Sequence, residues 1–152
     1  MPRSEPMVLM RRVPSGLRRG LIEPFAHQLR ERVTGGRWFQ CLITDDDELH
    51  RLNRQFLGKD YPSDVLSFPA AESAGALAGL GEIAISYQRA REQAHTFGHS
   101  IRDEIRILML HGVLHLMGMD HERDGGAMAR AEIAWRSELG LPASLIERAG
   151  GA

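Results

Sequence analysis

Hydrophobic and polar positions follow two periods along this chain, and their switching points mark the expected elements. An apolar run at residues 7–10, flanked by arginines, reads as a short first strand, and Pro14-Ser15-Gly16 is turn chemistry. Leu17, Leu21, Ile22, Phe25, Ala26 and Leu29 then recur at helical spacing, predicting an amphipathic helix over about 17–33 that Gly35-Gly36 stops. The aromatic and β-branched stretch 38–44 predicts a strand, and Thr44 or Asp45 caps a helix through Leu49, Leu52 and Phe56. A loop at 58–63 feeds a strand at 64–69, which Pro69 closes and assigns to a sheet edge. The Gly- and Ala-rich residues 70–80 are expected to form a mobile loop before a strand at 81–86. Ser86 caps a polar helix ended by Gly98, Ser100 or a neighbour starts a strongly apolar one, and a last helix runs through Leu139. Four short strands and about five helices predict one α+β domain spanning 1–152, with a mixed sheet.

The apolar helix carries the chemistry. His111 and His115 lie four residues apart, so they share one face of the helix a single turn apart. Gly118 suits the left-handed position that ends a helix, which lets the chain double back and bring His121 to the same point. Ile105, Leu108, Met109, Leu110, Val113, Leu114, Leu116 and Met117 already supply apolar surface around most of this helix. Two further imidazoles in such surroundings need partners, and a metal ion supplies one. Three histidines with an open fourth position describe a catalytic zinc site at the C-terminal end of a central helix. Zinc peptidases place a glutamate directly after the first histidine as general base, and here that residue is Gly112. Peptide hydrolysis is therefore disfavoured, whereas water activated on zinc can attack a carbonyl or a phosphodiester without that base.

Composition changes the picture little. A net charge of −1 argues against a polyanion-binding surface over the whole protein. Arginines crowd the first quarter of the chain, and Lys59 is its sole lysine. Arginine forks suit phosphate, but a solvated face accounts for them equally. The single cysteine, Cys41, excludes an internal disulfide and reads as a small buried strand residue. No apolar run nears the ~20 residues a bilayer span needs, and the N-terminal run is too short for a signal peptide, which together predict a cytoplasmic protein. Glu104 is expected to be a solvated or capping acid, and His95 and His99 to face solvent near a helix junction.

Three separated motifs resemble one family. They are Asn53-x5-Lys59-Asp60-x-Pro62-Ser63-Asp64-Val65-Leu66-Ser67-Phe68-Pro69, then Gly81-Glu82-Ile83-x-Ile85-Ser86, then His111-Gly-x-Leu-His115-Leu-x-Gly-x-Asp120-His121. In order and spacing they are similar to the YbeY family of bacterial endoribonucleases, over about residues 41–141. The resemblance implies a zinc-dependent hydrolase of single-stranded RNA, acting in 3′ end maturation of small-subunit ribosomal RNA and in ribosome quality control. It implies one Zn2+ per chain on His111, His115 and His121, and a cleft lined by the strand that includes Asp64, Val65, Ser67 and Phe68. The family usually has an arginine where this chain has Leu57, so Arg54, one turn earlier, or Lys59 is expected to supply the missing cation. Met119 stands where a tyrosine is common. Asp120 is a candidate acid–base group or, sitting beside a ligand, a residue that orients a histidine N–H. Two other readings stay open: a ribosome-binding assembly factor with a structural or weakly active metal site, and a zinc hydrolase of a peptide or small ester. Three histidines also accept nickel.

Overall fold

The computed structural model describes residues 5–71, 79–120 and 125–142. Its strands are β1 (Val8–Met10), β2 (Phe39–Thr44), β3 (Val65–Pro69) and β4 (Gly81–Ser86). Its helices are α1 (Glu23–Arg32), α2 (Asp46–Leu57), α3 (Tyr87–Phe97), α4 (Ile101–Leu116) and α5 (Ala127–Glu138), with a 3-10 turn at Arg19–Leu21. The sheet order is β1-β2-β4-β3. β1, β2 and β4 run parallel, and β3 pairs antiparallel with β4, Leu66 lying opposite Ala84. The expected α+β domain with a mixed sheet is what forms, and Pro69 does sit on an edge strand.

Strand alternation sorts the side chains onto two unequal faces. Val8, Phe39, Cys41, Ile43, Ile83 and Ile85 point into the main core, shared with α1 and α4. Leu66 and Ala84 point the other way and meet Leu49 of α2 in a smaller cluster, with Leu52 and Phe68 against it. Burial raises the Cys41 thiol far above the ordinary range, with Glu23 adding to the effect, so this thiol is inert packing. α1 starts at Glu23 rather than at residue 17. Pro24 is the reason, because within a longer helix its ring would collide with the carbonyl four residues back. In the first turn it is tolerated, and the Glu23 carboxylate there accepts the Met7 and Val8 amides at 2.9 and 3.0 Å, tying β1 to the helix.

α4 lies directly on β4. A Cβ at Gly112 would come within 2.9 Å of Ile83 Cγ2, so this position belongs to the helix–sheet contact and no side chain fits there. Ser100 caps the helix through its hydroxyl on the Asp103 amide at 3.0 Å, and Gly118 turns the chain with φ 90° just past its end. That placement fixes His111 and His115 in its last two turns, next to β3.

Candidate metal centre and cleft

His111 is buried while His115 is half-exposed, and the two rings meet edge to face with centroids 4.7 Å apart. Their Nε2 atoms lie 3.1 Å apart. Nitrogens bound at 2.0–2.1 Å to one tetrahedral ion are separated by about 3.3 Å, so the pair converges at the spacing a shared zinc requires. His111 Nδ1 meets Glu132 Oε2 of α5 at 2.9 Å, with Glu132 fully buried. A carboxylate only accepts, so the proton sits on Nδ1 and the Nε2 lone pair is turned toward His115. His121 lies outside the described residues. Among the described residues no cluster of three metal-ligating side chains forms, and the visible centre is the histidine pair with its buried carboxylate.

The pair opens into a cleft of about 480 Å³. α2 contributes Asn53 and Leu57 to its wall, the following loop Lys59, Tyr61, Ser63 and Asp64, and β3 Val65, Ser67 and Pro69. Two polar members of this wall are already engaged. Ser67 Oγ donates to the Gly112 carbonyl at 3.1 Å, and Asp64 accepts from its neighbour Val65 N at 2.9 Å and from Gln93 Nε2 at 3.1 Å. They hold the strand to α4 and α3. Asp120 is half-buried at the end of the described part of the motif.

Two placements correct the expectation. Phe68 does not line this cleft. With side chains alternating across the strand, it turns to the opposite face and meets Phe56 edge-on at 5.7 Å. Arg54 is also not among the residues that line the cleft; its exposed side chain lies 4.0 Å from Asp60. The hydrogen bond from His50, then the charges of His50 and Arg54, hold the Asp60 carboxyl below its usual range. Among the described residues Lys59 is the lysine or arginine in the cleft wall.

Sequence reasoning missed Glu132, although a signal existed. Met128, Glu132, Trp135 and Leu139 recur at helical spacing, placing an acid on a stripe that is otherwise apolar and core-facing. It also misplaced Glu104, which is fully buried and meets His99 Nε2 at 2.6 Å, while His95 is exposed as expected. A second concavity of about 400 Å³ lies on the open side of the sheet, between Leu9, Leu42, Arg51 and Phe56. At its edge the buried Glu48 carboxylate accepts from Thr44 at 2.8 Å and Arg51 at 2.9 Å, with Arg11 at 3.4 Å. Among the described residues no histidine lines it.

A family model described as Endoribonuclease YbeY matches residues 20–139. The chain is 59% identical over 141 residues to an Endoribonuclease YbeY of Solibacter usitatus, covering 93% of this chain and 92% of that protein. It is 45% identical over 142 residues to one of Koribacter versatilis, covering 93% and 91%. In fold it is similar to the solution structure of TM1509 from Thermotoga maritima, with a TM-score of 0.56 and 29% identity over 87% of this chain and 93% of that one.

Proposed function

The chain belongs to the YbeY endoribonuclease family, and from that premise we propose that it is a metal-dependent endoribonuclease of single-stranded ribosomal RNA. The observation that carries the metal dependence is the 3.1 Å convergence of the His111 and His115 Nε2 atoms, backed by the buried Glu132. His111 and His115, with His121 as third ligand, would hold one zinc ion per chain. When bound, the ion would supply Lewis acidity to a phosphoryl oxygen and lower the pKa of the attacking water toward neutrality. Glu132 keeps the proton on His111 Nδ1, which leaves the opposite nitrogen available as a donor to the ion. Lys59 brings positive charge to the phosphate and offsets the charge that builds up in the transition state. It takes the place that Leu57, half-exposed in the same wall, leaves without a cation. Asp120, beside His121, is assigned an orienting role, and Asp64, Val65 and Ser67 form the wall along which the substrate lies.

A peptidase reading has less support. The residue that would carry its general base is Gly112, and Ile83 fills the space there. Maturation of small-subunit ribosomal RNA in the cytoplasm, in contact with the ribosome, is the setting we assign. Among the described residues no helix is long and apolar enough to cross a membrane. The test compares zinc-loaded protein, chelator-treated protein and a Lys59→Ala variant on single-stranded ribosomal RNA fragments. Cleavage is expected only with metal, with turnover falling about 10²-fold in Lys59→Ala. Undiminished cleavage by the chelator-treated protein would overturn the metal mechanism.

A further inference from the structure

The cleft mouth carries an aromatic side chain for which the proposed reaction has no use. Tyr61 is 53% exposed although it lines the cleft beside Lys59. Its backbone, by contrast, is held firmly. Gly58 ends α2 in the left-handed conformation with φ 70°, and the Lys59 amide donates to the Asn53 carbonyl at 3.2 Å. Asn53, buried to 1% exposure, then donates from Nδ2 to the Tyr61 carbonyl at 2.8 Å. Asn53 therefore spends its buried amide on fixing where this loop carries Tyr61. The ring itself is left in water at the edge of the site.

The surroundings point the same way. Leu57, 46% exposed, lies four residues before Tyr61 in the chain and shares the cleft wall with it. Two large side chains, Leu57 and Tyr61, exposed side by side in the wall of a site mark a surface that gains when covered. Lys59 supplies a positive charge in the same wall. A flat aromatic face next to a cation matches one nucleotide, with a base to stack and a phosphate to neutralise.

We propose that Tyr61 is a stacking platform for one unpaired base beside the scissile phosphate, and so a residue that selects single-stranded substrate. This inference rests on the nucleic-acid reading of the cleft. Inside a duplex both faces of a base are covered by its neighbours, so no face is open to the tyrosine ring. An unpaired base offers one without cost in pairing.

The test uses the zinc-loaded full chain and a labelled single-stranded oligoribonucleotide, with a matching series that places one abasic residue at successive positions. Tyr61→Ala is expected to raise KM roughly ten- to a hundredfold and leave kcat within about threefold. Tyr61→Phe and Tyr61→Trp keep a ring and are expected to stay near the wild-type KM. One abasic position should weaken wild-type binding as much as Tyr61→Ala does, with no further loss when the two are combined. The ring is exposed, so these substitutions leave the core untouched. An unchanged KM in Tyr61→Ala, an equal loss in Tyr61→Phe, or additive abasic and Ala effects would each overturn the platform while leaving the nuclease reading intact. Failure of the wild-type chain to bind the intact oligonucleotide at all would overturn both.

Discussion

The two ends of α4 each hold a histidine against a buried glutamate, and they do different things with it. At the N-terminal end His99 Nε2 meets Glu104 Oε1 at 2.6 Å, five residues away in the same segment, and the ring stacks on Phe97. At the C-terminal end the carboxylate comes from another helix, and it takes the inner nitrogen, Nδ1, of His111. The outer nitrogen is thereby directed at His115 and the cleft. The chemistry of the residues is the same. What distinguishes the C-terminal end is the second histidine that the other ring nitrogen of His111 meets at the cleft.

Removing the buried partner at the N-terminal end should have the largest effect on stability and none on metal. Glu104→Ala is expected to lower unfolding stability by about 3 kcal/mol, since His99 loses its partner and the site leaves a void. Urea unfolding of the metal-free protein measures this, and zinc affinity of the folded fraction should be unchanged. A fall in zinc affinity would break the contrast between the two ends. Midway along the helix, Gly112→Ala is expected to cost about 2 kcal/mol by pressing on Ile83. Combining it with Ile83→Ala should cost less than the sum of the two single changes, because they share one contact.

At the C-terminal end the order reverses, with metal affected more than fold. Glu132→Gln is expected to weaken zinc affinity roughly ten- to a hundredfold, read by competition against a chelator. An unchanged affinity would reduce Glu132 to a packing residue. The smallest effect concerns pH. Burial acts to raise the Glu48 carboxyl, but the Thr44 hydrogen bond and the charges of Arg11 and Arg51 win, and its pKa is lowered. A carboxyl depressed in the folded state adds stability above its unfolded pKa of about 4.3, and that stability is lost as the pH falls through the lower folded value. Glu48→Gln should therefore flatten the acid side of the stability profile, a change that involves neither histidine pair.

Local signals carried most of the fold. Asp45, Ser86 and Ser100 cap α2, α3 and α4 where their residue types suggest, and Gly58 and Gly98 end α2 and α3. β3 is an edge strand as Pro69 implies. What was not legible depends on packing between distant segments. The partner of His111 arrives from α5, 21 residues on, and no short motif spans that distance. His99 and Glu104 are ordinary polar residues until the helix N-terminus is buried. Arg54 follows from the helix face, but its approach to Asp60 follows from the loop. Phe68 is readable in principle. Alternation along β3 already separates it from Val65 and Ser67, and the error came from treating the motif as one surface.

Metal binding at the C-terminal end of α4, and not at its N-terminal end, follows from the His111–His115 convergence. The direct measurement is elemental analysis of purified, tag-free protein alongside His111→Ala and His99→Ala. About one zinc per chain is expected in the wild type and in His99→Ala, and none in His111→Ala. Protein that neither retains nor takes up a metal ion, or zinc that persists in His111→Ala, would contradict it.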